Sequence, residues 1–194
     1  MNSPRASFPI RLFKTQRDWA SWLGKNHGAS SGVWLQLAKK AADAESVSYE
    51  EAVETALCFG WIDGQKQAHD QQYWLQKFTP RAKKSVWSRI NKAKALALIE
   101  AGKMMPAGLR EVERAQSDGR WKAAYDSAGQ ATVPGDLQAA LNANRRARDF
   151  FGTLDSRNRY AILFRIQTAR KAETRARKIA QFVQMLERHE KVHS

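Results

Sequence analysis

The chain has 194 residues, a formal net charge of +14 at pH 7 and a single cysteine, Cys58. Because 43% of the residues are hydrophobic and seven are Trp, the chain can bury a substantial core, which excludes bulk disorder. One cysteine excludes a scaffold of internal disulfides, and no apolar run is long enough to predict a transmembrane segment. We expect a soluble, cytoplasmic protein. The charge favours anionic partners, although positive charge that only maintains solubility is the alternative.

The first predicted elements follow a polar, proline-containing lead-in at residues 1–9. Thr15 is placed to cap a helix whose Trp19, Trp22 and Leu23 share one face. Residues 32–38 are a short apolar run after a Ser/Gly cluster, which predicts a strand.

A second helix is the best marked of the first half. Ser48 is followed three residues later by Glu51, the spacing of a capping box, in which each side chain satisfies the backbone N–H of the other residue. Gly60 is suited to end this helix.

A hairpin and a long helix are predicted next. Residues 61–67 and 72–78 predict two antiparallel strands, and Pro80 ends the ladder because it has no N–H to donate. Ser85 is placed to cap a helix that reaches Ala101. A short helix follows over residues 109–116.

The last part of the chain predicts only helices. Residues 126–135 are small and polar and contain Pro134, which indicates a linker. Asp136 is placed to cap a helix over 137–144, and Asp155 or Ser156 to cap another. The final helix carries Ile179, Phe182, Val183 and Leu186 on one face.

The predicted fold class is α+β, mainly α: a small antiparallel sheet flanked by helices, followed by a C-terminal helical module. The predicted domains are an N-terminal α+β domain at 1–125, the linker at 126–135 and a basic helical module at 136–194.

One aromatic and basic stretch is the candidate binding region, because no Asp or Glu occurs from Gln71 to Ile99. Basic side chains just before a predicted helix N-terminus are typical of an anion site, since exposed N–H groups and the positive end of the helix dipole meet there. The candidate ligand-binding residues are Trp61, Asp63, Lys77, Arg81, Ser85, Trp87, Ser88 and Asn91.

Each candidate has a structural alternative. Trp61 and Trp87 are suited to stacking on a planar ligand, but such residues more often belong to a core. Asp63 is suited to act as a base or cation ligand, or it simply begins a turn with Gly64. A second candidate surface for phosphate contact comprises Arg170, Lys171, Arg175 and Lys178. A solvated helix face is the alternative there. Catalytic residues are left unassigned, and no metal site or cofactor is predicted.

Several blocks of the chain resemble one family, the YdeI/OmpD-associated or bacteriocin-protection proteins. The blocks are Trp22–Lys40, Ser48–Gly64, Lys77–Asn91, Met105–Trp121 and the helical segment Leu137–Arg188. Gln116 departs from the resemblance, which favours a lysine before the Asp-Gly-Arg-Trp turn. The resemblance implies a role in envelope stress or peptide resistance and assigns no reaction.

Three functional hypotheses remain open from the sequence. The first is a non-catalytic binding protein for stress or antimicrobial-peptide resistance, with an anionic ligand. The second is an enzyme for a small phosphorylated or nucleotide-like substrate, with Asp63 as acid/base and Arg81 as anion clamp. The third is a nucleic-acid binder without sequence preference. The oligomeric state is left open.

Overall fold

The computed structural model describes residues 8–194, so most of the lead-in expected at 1–9 lies outside the described part. The chain divides into two compact units. The first comprises residues 8–85 and 91–121, and the second comprises residues 86–90 and 122–194. The domain limits expected from the sequence stay a prediction.

The first unit contains four strands and four helices, one of which begins in the second unit. The strands are β1 (Ile10–Leu12), β2 (Val33–Ala38), β3 (Trp61–Ala68) and β4 (Tyr73–Pro80). The helices are α1 (Gln16–Asn26), α2 (Tyr49–Cys58), α3 (Arg89–Glu100) and α4 (Pro106–Ser117). Two residues of α3, Arg89 and Ile90, belong to the second unit.

The sheet has the strand order β1-β2-β4-β3 and is mixed rather than wholly antiparallel. β2, β4 and β3 pair antiparallel, as expected, whereas β1 pairs parallel to β2 with Ile10 opposite Trp34. Parallel pairing needs a crossover connection, and α1 supplies it. The three-residue β1 is too short for its alternation to be recognised in the sequence.

A register shift between Asp63 and Lys66 interrupts the β3–β4 hairpin. The buried amide of Gln76 occupies this irregularity and donates hydrogen bonds to the carbonyls of Gly64 and Gln65, at 2.9 and 3.2 Å. The glutamine that dilutes the hydrophobic pattern of β4 therefore satisfies backbone groups of its neighbour strand.

Aromatic side chains form the core of the first unit. Trp19 is fully buried and lies 5.4 Å from Trp22 and 5.6 Å from Phe78, measured between ring centroids. The indole N–H of Trp19 donates to the carbonyl of Ala52 in α2, at 3.1 Å. This bond satisfies a polar atom that would otherwise be costly to bury.

The capping predictions for α1 and α2 are confirmed. Thr15 accepts a hydrogen bond from the backbone N–H of Asp18, and both halves of the Ser48–Glu51 capping box are present. The prediction that Ser85 begins α3 is wrong, because α3 begins at Arg89. Ser85 instead closes a turn with Ala82, through one backbone and one side-chain hydrogen bond.

The second unit is helical apart from an isolated bridge between Ser88 and Tyr125. Its helices are α5 (Gly135–Ala143), α6 (Arg145–Thr153), α7 (Ser156–Gln167) and α8 (Ala172–Glu187). Their shared core comprises Leu137, Leu141, Ala147, Phe151, Leu154, Ile162, Leu163, Ile166, Ile179, Phe182 and Leu186.

Two details of this unit differ from expectation. Asp136 is not a cap, because α5 begins at Gly135 and Asp136 lies in its first turn. The Arg-rich α6 was not predicted, since it has few apolar residues, although Asn144 caps it by accepting from the N–H of Ala147. Asp155 does cap α7, accepting from the N–H of Asn158. The fold class, α+β and mainly α, is confirmed.

Candidate functional site

Both tryptophans proposed to stack on a ligand are buried. Trp61 and Trp87 are each 1% exposed. The indole N–H of Trp61 donates to the carbonyl of His27 at 3.1 Å. Burial places both rings among the core residues, which is the structural alternative that the sequence left open.

Asp63 and Arg81 lie near each other at the β3–β4 hairpin, because Asp63 pairs with Phe78, three residues before Arg81. Asp63 accepts a hydrogen bond of 2.8 Å from the hydroxyl of Tyr49, the first residue of α2. The backbone N–H of Arg81 donates to the carbonyl of Gly60, two residues beyond the end of α2. A shared role of the two residues as acid/base and anion clamp stays a prediction.

Arg81 is 5% exposed and belongs to a cluster of charges on the first unit. Burial raises the pKa of Glu111, and the nearby guanidinium groups of Arg114, Arg81 and Arg120 oppose this rise. Arg114 also forms an ion pair with Glu111. Part of the basic charge of the candidate region is thus directed inward and balanced by a carboxylate.

The two remaining arginines of this cluster hold the loop that was expected to bind an anion. Arg114 donates to the carbonyl of Ala82 at 3.4 Å, and Arg120 donates to the carbonyl of Ser85 at 2.7 Å. Arg120 is 2% exposed and also pairs with Asp118 at 2.7 Å. Because α3 starts four residues after Ser85, this loop does not lead directly into a helix N-terminus.

The other predicted residues of this region are spread over both units. The ammonium nitrogen of Lys77 lies 4.5 Å from the ring centre of Phe8 and 6.0 Å from that of Trp34. Asn91 lies in the first turn of α3. Trp87 and Ser88 belong to the second unit, where Ser88 bridges to Tyr125.

The C-terminal basic residues divide into two groups. Arg175 forms two hydrogen bonds with the carboxylate of Asp136, at 2.6 and 2.9 Å, and a third with the carbonyl of Ile166. Lys178 donates to the carbonyl of Arg165 at 2.9 Å. These two side chains satisfy carbonyls in the last turn of α7, a common role for basic residues near helix ends. Arg170 and Lys171 lie exposed just before α8.

A pocket beside α7, which we call the α7 pocket, has a basic lining. Its volume is about 410 Å³. The polar, charged and aromatic side chains that line this pocket are Ser156, Arg157, Tyr160, Phe164, Arg165 and His193. Among the described residues that line it, none is Asp or Glu. The volume is within the range of small-molecule sites.

Internal contacts hold the walls of the α7 pocket in place. The hydroxyl of Tyr160 donates to the carbonyl of Asp126 at 3.0 Å, and burial raises the pKa of Tyr160, so this phenol stays neutral at pH 7. Phe164 packs edge-to-face on Tyr125 at 4.8 Å between ring centroids. The backbone N–H of His193 donates to the side chain of Asn158, which is 3% exposed.

The α7 pocket was not predicted from the sequence, although the spacing of four of its lining residues is visible there. Arg157, Tyr160, Phe164 and Arg165 are spaced by three, four and one residues, which places them along one side of a helix. His193 lies far away in sequence and reaches the pocket only because the chain turns back onto α7.

Among residues 8–194, no three His, Cys, Asp or Glu side chains are grouped in a way that would hold a metal ion. Within the same range, no helix has the length and apolar character needed to cross a membrane.

Two protein families match different parts of the chain. Residues 11–111, more than half of the chain, match the family described as a domain of unknown function, DUF8412. Residues 130–189 match the family described as bacteriocin-protection, YdeI or OmpD-associated. A comparison with curated proteins found no match, and neither did one with solved structures.

The second match confirms the resemblance seen in the sequence for the C-terminal segment, from α5 to α8. The blocks at Trp22–Lys40, Ser48–Gly64 and Lys77–Asn91 lie within the first match instead. The chain belongs to the DUF8412 family of domains of unknown function, and its C-terminal segment matches the family described as bacteriocin-protection, YdeI or OmpD-associated.

Proposed function

We propose that this protein is a non-catalytic binding protein that contributes to bacteriocin protection or stress resistance and holds a small anionic ligand in the α7 pocket. The observation that carries the proposal is the acid-free lining, which combines Arg157, Arg165 and His193 with two aromatic rings. The α7 residues that line this pocket lie within the segment that matches the bacteriocin-protection family, whereas Ala128 and His193 lie just outside it.

The two arginines provide the recognition of charge. Arg165 is half-buried, and one of its terminal nitrogens donates to the carbonyl of Ala161 at 3.0 Å. A guanidinium has five N–H donors in a planar fork, so a single backbone bond leaves donors for an anion. Arg157 is exposed at the mouth and adds a second charge.

The aromatic rings provide an apolar wall for the rest of the ligand. Tyr160 and Phe164 lie 6.0 Å apart between ring centroids and are fixed by their contacts to Asp126 and Tyr125. A ligand with a ring and a phosphate or other oxyanion suits this pairing of rings and arginines.

The cytoplasm is the proposed location of the protein. Cell fractionation tests this location.

Isothermal titration calorimetry with phenyl phosphate tests whether the α7 pocket binds a ring that carries an oxyanion. Inorganic phosphate supplies the oxyanion alone, and phenol supplies the ring alone. We expect phenyl phosphate to bind more tightly than either. Arg157→Gln and Arg165→Gln should each weaken it about tenfold, since hydrogen bonds to charged groups contribute about 1.5–3 kcal/mol. Arg146→Gln is the matched control, because Arg146 is exposed on α6 and does not line the pocket.

A bacteriocin challenge tests the biological part of the proposal. A strain that lacks the protein is complemented with the wild type, with the Arg157→Gln/Arg165→Gln double variant or with Arg146→Gln. We expect survival with the wild type and the control, and loss of protection with the double variant. Equal protection by all three would show that the α7 pocket has no part in this function.

A further inference from the structure

The first unit has a larger pocket at one end of its sheet, where β2 ends and the chain returns to α2. We call it the strand-end pocket. Its volume is about 760 Å³, within the range of small-molecule sites. It lies in the segment that matches a domain of unknown function, to which no ligand is assigned.

The floor and one wall of this pocket are apolar. Leu37 and Val47, both 1% exposed, belong to its lining together with the rings of Tyr49 and Trp74. The two rings lie 5.9 Å apart between centroids and are inclined by 47°. Tyr49 as a whole is 44% exposed.

Hydrogen bonding holds the aromatic wall in position. The hydroxyl of Tyr49 donates to Asp63 on β3, which ties the ring to the sheet. The ammonium nitrogen of Lys66 lies 4.4 Å from the ring centre of Trp74. Asp63, which the sequence suggested as an acid or base, thus has a positioning role for the wall of this pocket.

The rim of the pocket is positively charged. It carries Lys14, Lys39 and Lys40, and Glu45 is the one carboxylate among its described lining residues. Glu45 pairs with Lys14 at 3.4 Å. Lys39 donates one of its three N–H groups to the carbonyl of Asp70, and its charge helps to lower the pKa of the Asp70 carboxyl. Lys40 has no second carboxylate among the described lining residues.

The hydroxyl groups of the lining are already used within the protein. Thr15 exchanges hydrogen bonds with Asp18, Ser46 binds the backbone of Ala38 and Val47, and Ser48 binds Glu51. The carboxylate of Glu51 also occupies the N-terminus of α2, where an anion would otherwise be favoured. Recognition in this pocket therefore depends on the lysines and the aromatic wall.

We infer that the strand-end pocket is a second binding site of this protein, for a small organic anion that carries a flat apolar ring. The ring lies against Tyr49 and Trp74, and the anionic group reaches Lys39 and Lys40. This site is independent of the α7 pocket, because its lining residues all belong to the first unit.

Isothermal titration calorimetry of the full chain with 2-naphthoate tests the inference. Acetate supplies the charge without the ring, and 2-naphthylmethanol supplies the ring without the charge. We expect 2-naphthoate to bind at least tenfold more tightly than either. The Lys39→Gln/Lys40→Gln double variant should weaken 2-naphthoate at least tenfold, whereas Lys25→Gln, an exposed lysine of α1 outside the pocket, should not.

A second variant keeps the test decisive if the double variant folds poorly. Ala44→Glu places a carboxylate in the half-exposed loop that lines the pocket and should also weaken 2-naphthoate at least tenfold. Unchanged affinity in a folded Ala44→Glu protein would overturn the inference. The Arg157→Gln/Arg165→Gln protein should keep one binding site for 2-naphthoate, even where the wild type also binds the probe in the α7 pocket. Loss of binding there would place the probe in the α7 pocket and would also overturn it.

Discussion

At the scale of single residues, two helical glycines differ in the space around them. A Cβ added at Gly108 in α4 would lie 2.4 Å from the carbonyl oxygen of Cys58 and 2.6 Å from that of Leu57. These are backbone atoms at the end of α2, and they cannot move without disturbing the contact between α2 and α4. A Cβ at Gly24 in α1 would meet nothing within 4 Å.

We therefore predict opposite effects of the same substitution. Gly108→Ala should lower the free energy of unfolding by about 1–3 kcal/mol, because the added methyl group overpacks a close helix contact. Gly24→Ala should raise it by roughly 0.5–1 kcal/mol, because alanine restricts the unfolded chain and fits the helix. Urea denaturation measures both values. A neutral Gly108→Ala would mean that α2 and α4 are not in this close contact.

At the scale of elements, one ion pair connects three helices of the second unit. Arg175 on α8 holds Asp136 on α5 and the carbonyl of Ile166 on α7. Hydrogen bonding from Arg175 lowers the pKa of Asp136, and the same bond raises the pKa of Arg175. The side chain of Asp136 is 46% exposed, so solvent screens part of the interaction.

The lowered pKa of Asp136 predicts a pH-dependent contribution to stability. The contribution is present above the ordinary aspartate pKa of about 3.9 and is lost as the pH falls through the lower pKa of the folded state. Asp136→Asn should cost up to about 1 kcal/mol at pH 7, and the difference from the wild type should shrink toward pH 2. Urea denaturation at pH 7, 4 and 2 measures it.

Asp149→Asn is the matched control for this prediction. Within residues 8–194, Asp149 pairs along its own helix, with Arg145 and Arg148 at 3.6 and 2.9 Å, and its side chain is 55% exposed. Its replacement should change the stability much less than that of Asp136. Equal costs for both variants at every pH would show that the Asp136–Arg175 pair does not connect the helices energetically.

At the scale of the whole molecule, a net charge of +14 makes nucleic acid a possible binding partner. Several basic groups are engaged internally, among them Arg81, Arg120, Arg175 and Lys178. Other basic residues of the described chain lie exposed, such as Arg146 and Lys171. Exposed positive charge of this kind is expected to attract any polyanion without sequence preference.

Fluorescence anisotropy with labelled single- and double-stranded DNA and RNA tests how strongly the protein binds nucleic acid. We expect weak binding without sequence preference, which falls by at least tenfold between 50 and 200 mM KCl because each phosphate contact releases counterions. A tight complex that persists at 200 mM KCl would favour the nucleic-acid hypothesis. The next variants would then be Arg170→Gln and Lys171→Gln, since both residues are exposed before α8.

Local signals in the sequence predicted much of the secondary structure. Caps at Thr15, Ser48 and Asp155 marked helix starts, because a side-chain oxygen within three residues satisfies the backbone there. Ser85 led to a wrong helix start, because its hydroxyl also satisfies a nearby backbone N–H, that of Ala82. This bond closes a turn, and α3 begins four residues after Ser85. A serine hydroxyl can either cap a helix or close a turn. Here Ser88 forms a β-bridge with Tyr125, so the chain is still extended at this residue and α3 begins only after it.

The sequence by itself determined the fold class, the basic character and the family of the C-terminal segment, since each depends on composition or on contacts between near neighbours. Only the tertiary structure decided which charges face inward and where pockets form. Arg81 comes near enough to Glu111 to act on its pKa, and His193 reaches α7, each across a long stretch of chain. Such contacts depend on how distant elements pack, a property that no local pattern of residues records.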